Sequence, residues 1–171
     1  MRYQSKAIVS LNNYKFNIEN IQKFVGSSCK LMLIVKANAY GHGAVEMSRF
    51  ANTLNIDYFG VANLDEAIEL RINGVSGNIL VLGHVDSVHI DALLKYDLSI
   101  TIRDYEGFLE FKNSTVKVHI KIDTGMSRSG FYLHKEENIK PLLETIKKIK
   151  HESSIIIEGI FTHFSSSESN K

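Results

Sequence analysis

An amine at the end of a buried strand is stripped of water that would otherwise favour its charge, and it becomes a usable nucleophile or general base. One stretch of this chain fits that description. The run Leu31-Met32-Leu33-Ile34-Val35 leads without a polar break into Lys36, and the chain then opens into Ala37-Asn38-Ala39-Tyr40-Gly41-His42-Gly43. Five apolar residues bounded by a turn suit a strand buried on both faces, and the turn delivers Lys36 at its C-terminal end, where parallel α/β folds keep their chemistry. The plain alternative is a solvated lysine whose stem runs along the surface. The unbroken apolar approach favours the functional reading, with a lowered pKa and a role as Schiff-base amine or base.

Two further stretches carry chemistry. In Lys121-Ile122-Asp123-Thr124-Gly125-Met126-Ser127-Arg128-Ser129-Gly130-Phe131, the two glycines permit a tight loop that fixes Arg128, a permanent cation able to fork onto an oxyanion. Leading into it, Val116, Val118, Ile120 and Ile122 alternate with Lys117, His119, Lys121 and Asp123. In a barrel the apolar set would face the helices and the charged set the lumen, as a salt-bridge network or a functional wall. The third stretch, Glu158-Gly159-Ile160-Phe161-Thr162-His163-Phe164, puts His163 at a strand end, where structural and functional readings carry equal weight. His84 and His89 form no metal-ligand spacing.

These residues need a scaffold, and hydrophobic periodicity supplies one. A helix is predicted over residues 11–25, with Ser10 as N-cap and Gly26 as stop, its apolar stripe being Leu11, Tyr14, Ile18, Ile21 and Val25. Strands are predicted over residues 31–35, 57–62, 78–82, 98–102, 116–122 and 155–161. Helices over 44–54, 65–72, 88–94, from the Asp104 cap through Phe111, and 136–150 fall between them. This β-α rhythm argues a parallel sheet with right-handed crossovers, as an open doubly wound sheet or as a (β/α) barrel. No G-x-G-x-x-G or P-loop pattern supports nucleotide binding.

Length and composition exclude several classes. With 171 residues the chain holds one well-buried domain, and 44% hydrophobic with 23% charged residues is a globular composition. A formal charge of +1 calls for no nucleic-acid or membrane partner, and Lys147-Lys148-Ile149-Lys150 reads as the wet face of a helix. Cys29 is the only cysteine, which excludes an internal disulfide and points to a reducing compartment. The N-terminal run from Met1 to Lys6 precedes no signal-type apolar region, and no segment reaches membrane-spanning length. A cytoplasmic location is expected.

The segment Val35-Lys36-Ala37-Asn38-Ala39-Tyr40-Gly41-His42-Gly43 resembles the pyridoxal-phosphate lysine motif of the alanine racemase family. The Lys121–Phe131 run resembles that family's second signature, and Gly159-Ile160-Phe161-Thr162-His163 its Gly-x-x-Thr-His segment. The resemblance implies that Lys36 forms the internal aldimine with pyridoxal 5'-phosphate and later acts as base on one face of the substrate. It further implies that Tyr40 contacts the cofactor phosphate, that Arg128 approaches the phenolic oxygen, and that His163 lies beside the ring. Lys121 matches a lysine that many members carry as a carbamate holding the arginine.

By the same resemblance the fold is an incomplete TIM-type (β/α) barrel with about six of its eight parallel strands. Residues 1–171 correspond to the N-terminal part of the racemase's cofactor-binding barrel, and the chain stops at Ser169-Asn170-Lys171. The last two strands, the C-terminal β domain and the opposite-face base from the partner subunit of a homodimer are then absent. The implied activity is interconversion of L- and D-alanine, supplying D-alanine for peptidoglycan, by an enzyme of which this is expected to be a truncated chain. Alternatives are a non-catalytic pyridoxal-phosphate module, a serine racemase of the same family, and a remnant that binds nothing.

Overall fold

The computed structural model describes residues 6–167. The start of the N-terminal run read for a leader, and Ser169, Asn170 and Lys171, lie outside the described residues. The chain forms two compact units, one ending at Leu82 and one beginning at Gly83.

In the first unit, β1 (Met32–Ile34), β2 (Tyr58–Val61) and β3 (Asn78–Val81) run parallel, with Met32 opposite Tyr58 and Tyr58 opposite Asn78. Helix α1 (Leu11–Val25) precedes them, and α3 (Ala44–Asn52) and α4 (Leu64–Ile72) make the crossovers. Phe59, Val61, Ile79, Val81, Ala51 and Ala67 are fully buried and form the core. Local chemistry sets the helix ends. Ser10 Oγ accepts from Asn13 N–H, and Asn63 Oδ1 accepts from Glu66 N–H, each satisfying a donor that the first turn leaves free.

Of the α1 stripe Ile18 is buried, Tyr14 and Val25 are half-buried, and Leu11 and Ile21 are exposed, so part of its apolar face is uncovered among the described residues.

The second unit is built on β5 (Lys117–Asp123), which pairs in parallel with β4 (Leu98–Ile102) on one side and β7 (Ile156–Phe161) on the other. The two-residue β6 (Phe131–Tyr132) pairs with the last residues of β5. A 3-10 turn at Ser87–His89 and α5 (Ile90–Lys95) lead to β4, α6 (Tyr105–Phe111) follows it, and α7 (Ile139–His151) precedes β7. Asp104 caps α6 as expected, accepting from Gly107 N–H at 2.7 Å. Ile149 of α7 is buried while Lys147, Lys148 and Lys150 are exposed, so the lysine cluster is a wet face. Lys148 lies over the Tyr105 ring.

All six expected strands form, within one or two residues of their predicted limits. What periodicity did not announce is α2 (Lys36–Tyr40), a single turn in which Ala37, Asn38 and Ala39 hold φ near +50° and ψ near +46°, with Tyr40 also at φ 53°. It is left-handed. For residues with a Cβ this costs about 1–2 kcal/mol each, which the surrounding bonds must offset.

Candidate active site

Lys36 stands at the C-terminal end of β1, half-buried behind the buried Val35. Backbone bonds fix it from both sides. Val35 N–H donates to Gly60 O of β2 at 2.9 Å, and Ala37 N–H donates to Glu66 Oε1 at 2.8 Å. The left-handed turn then closes on itself through Ala39 N–H to Val35 O, Gly43 N–H to Asn38 O, and Ala44 N–H to Asn38 Oδ1. The His42 ring, through Nδ1, bonds Ala39 O at 2.8 Å, so it serves the turn. Tyr40 leaves the turn 62% exposed, with its hydroxyl in reach of a ligand. Lys36 makes no ion pair among the described residues, so its amine is available.

In the second unit the loop after β5 is organised by Asp123. Its Oδ1 accepts from Gly125 N–H and Ser127 N–H, and Oδ2 from Arg128 N–H, each at 3.0 Å. His134 Nε2 adds a fourth bond to Oδ1 at 2.9 Å, with its ring against Tyr132. The bond from Gly125, then that from His134, then the remaining backbone donors, hold the Asp123 carboxyl well below the usual carboxylate range. A side chain on Gly130, at φ +126°, would collide with the backbone of residues 121–123, so the loop closes there only with glycine.

The Arg128 backbone is thus pinned while its side chain is exposed and in no ion pair among the described residues. Lys121 is only 8% exposed. Burial, then the nearby Arg128 and Arg103 cations, push its ammonium below the usual lysine range against the pull of Asp123. Thr124 Oγ1 and Thr162 Oγ1 meet at 2.8 Å, which ties the Asp123 loop to the end of β7. His163, the next residue, is exposed beside that tie.

The charged face of β5 divides into two parts. Lys117 pairs with Asp97 at 2.7 Å and Glu158 at 3.8 Å, and His119 lies 3.8 Å from Glu158, which also accepts from Ser99 Oγ. This is a salt-bridge network. Asp123, farther along the same face, organises the loop through its carboxylate. Burial of the His119 ring lowers its pKa, partly opposed by Glu158.

Structure therefore groups the sequence-predicted residues as Lys36 with Tyr40 in one unit and Lys121, Arg128 and His163 in the other. Sequence reasoning missed Glu66 and His134 and gave Asp123 no specific task. A signal for Glu66 was present in Asn63-x-x-Glu66, a capping-box spacing, although there the glutamate turns outward from its own helix. Among the described residues no group of three or more His, Cys, Asp or Glu could hold a metal ion, and no helix is long and apolar enough to cross a membrane.

The model of the family described as alanine racemase, N-terminal domain, matches residues 9–171. The chain is 38% identical over 170 residues to an alanine racemase of Methanococcus maripaludis, covering 96% of this chain and 44% of that protein. It is 37% identical over 163 residues to an amino-acid racemase of Enterococcus faecalis, covering 94% of this chain and 22% of that protein. The crystal structure of alanine racemase from E. faecalis superposes with a TM-score of 0.82 at 35% identity, over 95% of this chain and 44% of that one. The chain thus spans less than half the length of these relatives. The likeness bears out the expected fold class, an α/β chain carrying part of a TIM-type barrel.

Proposed function

The chain belongs to the alanine racemase N-terminal domain family, and on that premise we propose that it is the N-terminal, cofactor-bearing part of a pyridoxal-phosphate-dependent racemase acting on alanine. The observation that carries this reading is Lys36: a half-buried lysine without an ion pair among the described residues, fixed at a strand end by a turn whose backbone is bonded on both sides.

The donor set fits pyridoxal phosphate. The group needs a primary amine for its carbonyl carbon and cations or donors for its phosphate and phenolic oxygen. Lys36 offers the amine and Tyr40 a hydroxyl on the same turn, and Arg128 offers a guanidinium that no carboxylate holds among the described residues. When bound, pyridoxal phosphate supplies an electron sink that lets the Cα proton of an amino acid leave.

The chain's own residues do the rest. Lys36 would hold the cofactor through its amine, and that amine, when free, would take or return the Cα proton on one face. By the family likeness Tyr40 would serve the phosphate, Arg128 the phenolic oxygen and His163 the ring. Lys121 is suited to carbamylation. Its lowered pKa leaves more neutral amine to form an N–C bond with carbon dioxide, releasing a proton, and the resulting anion would balance Arg128 and Arg103. A base on the opposite face is not assigned to any residue here and would come from the remaining length that the relatives possess, in a homodimer. Residues 9–171 then correspond to the N-terminal part of the cofactor-binding barrel of a cytoplasmic protein.

Substrate choice has a second reading. The comparable match to an amino-acid racemase admits a substrate other than alanine, serine being the alternative that the sequence motifs share. The test is the visible spectrum of the purified chain with pyridoxal phosphate, before and after borohydride, beside Lys36→Ala. A yellow species that borohydride fixes onto Lys36 and the variant lacks supports the reading, and its absence overturns it for this chain. Loss of α-deuterium from labelled alanine or serine then separates a racemase from a binding module and one substrate from the other.

A further inference from the structure

Glu66 sits on the first turn of α4, thirty residues from Lys36, yet its side chain leaves that helix. Its Oε1 accepts from Ala37 N–H at 2.8 Å and its Oε2 from Ala62 N–H at 2.7 Å. One carboxylate thereby ties the first left-handed residue after Lys36 to the segment just beyond β2. The tie lies where the backbone most needs one. Ala37, Asn38, Ala39 and Tyr40 all hold positive φ, and Ala37 N–H, which heads the turn, finds its acceptor in Glu66. An ionised acceptor makes such bonds shorter and stronger than neutral ones. Asn63 Oδ1 holds Glu66 N–H at 2.9 Å, so the carboxylate works from a capped, fixed base. Val35 N–H to Gly60 O guards the other side of Lys36.

We infer that Glu66 is a positioning residue for Lys36, its carboxylate latching the left-handed turn that sets where the lysine stem leaves the backbone. The inference deepens the reading of Lys36 as the cofactor lysine and rests on it. Its chemistry is specific to a carboxylate. Glutamine keeps the length but presents one acceptor oxygen in place of two, so one N–H loses its partner, and alanine frees both.

The test compares the full chain with Glu66→Gln and Glu66→Ala. Amide hydrogen exchange is read by NMR at Ala37 and Ala62, with the β2–β3 ladder amides as a check that the unit stays folded. Competitive acetylation of Lys36 is read against the exposed Lys23 by mass spectrometry. Both readouts are independent of cofactor. Exchange about tenfold faster at one of the two amides in Glu66→Gln and at both in Glu66→Ala is expected. Lys36 acetylation should rise several-fold against Lys23 in each variant. Unchanged exchange overturns the inference, as does faster exchange with unaltered Lys36 reactivity. If Glu66→Ala loses its ladder amides, Glu66→Gln decides. If the unmodified chain forms no borohydride-fixed adduct with pyridoxal phosphate, the functional reading falls, while exchange and acetylation still decide what Glu66 does to Lys36.

Discussion

Arg128 and Asp123 divide one task between a free side chain and a buried one. If Arg128 meets an anionic oxygen of the cofactor, Arg128→Leu removes a charge-assisted bond worth about 1.5–3 kcal/mol, so pyridoxal-phosphate affinity should fall roughly 10- to 100-fold by spectroscopic titration. Unchanged affinity would remove Arg128 from the site. Asp123 acts on stability instead. Its folded-state pKa lies below its unfolded value of about 3.9, so its contribution is complete above that pH and is lost as pH falls through the folded value. Asp123→Asn should therefore be less stable at neutral pH and show a shallower acid limb in thermal unfolding from pH 5 downward. His119 titrates in a different window. Burial lowers its pKa from about 6.5, so the unfolded chain takes up the proton first and stability declines as pH drops below that value. Replacing His119 with glutamine should flatten the profile just below about pH 6.5, and an unaltered slope there would sink the assignment.

Helix α2 shows how far an element can be read before its structure is known. The frame from Ser10 to Gly26, the Asp104 cap and every described strand but the two-residue β6 were legible because caps, stops and apolar periods are local properties of the chain. The places of Lys36 and His163 in the fold were legible for a similar reason, each lying two residues past a strand end, and Arg128 lies in the glycine-bounded loop after β5. The handedness of α2 was not. Ala37 and Ala39 favour right-handed helix, and what reverses them is tertiary, a carboxylate from α4 and a strand carbonyl. The exposure of α1 was hidden likewise, since spacing reports a face and not its cover. The reversal makes a prediction of opposite sign to the usual one. In a right-handed helix Ala→Gly destabilises by about 0.5–1 kcal/mol. At Ala37, exposed and at φ 52°, glycine relieves the left-handed penalty, so Ala37→Gly should be more stable by about 1 kcal/mol and unfold at a higher denaturant midpoint. A lower midpoint would mean that the turn is not left-handed in solution.

At the scale of the whole chain, strands that lack neighbours become decisive. Among the described residues β1 pairs only with β2, and β7 pairs only with β5, so each presents a row of unmatched backbone donors and acceptors. Along β7 the side chains do little to protect that row. Ile156 and Ile160 are 47% and 56% exposed, Phe164 just beyond is 77% exposed, and Glu158, the charge that could repel a second strand, is spent on Lys117 and Ser99. Natural sheets blunt such edges with lysine, proline or a covering element, because a free apolar edge templates association. In the relatives, more than half of the chain length lies outside the part matched here and is available as cover. Alone, this chain should therefore self-associate through β7, giving a sedimentation coefficient that rises with concentration. Ile160→Lys should suppress that rise, since a charge on the exposed position costs the unit little but must be buried on pairing. A chain that sediments as a monomer at every concentration, or an Ile160→Lys variant that associates as before, would show that the β7 edge is not adhesive.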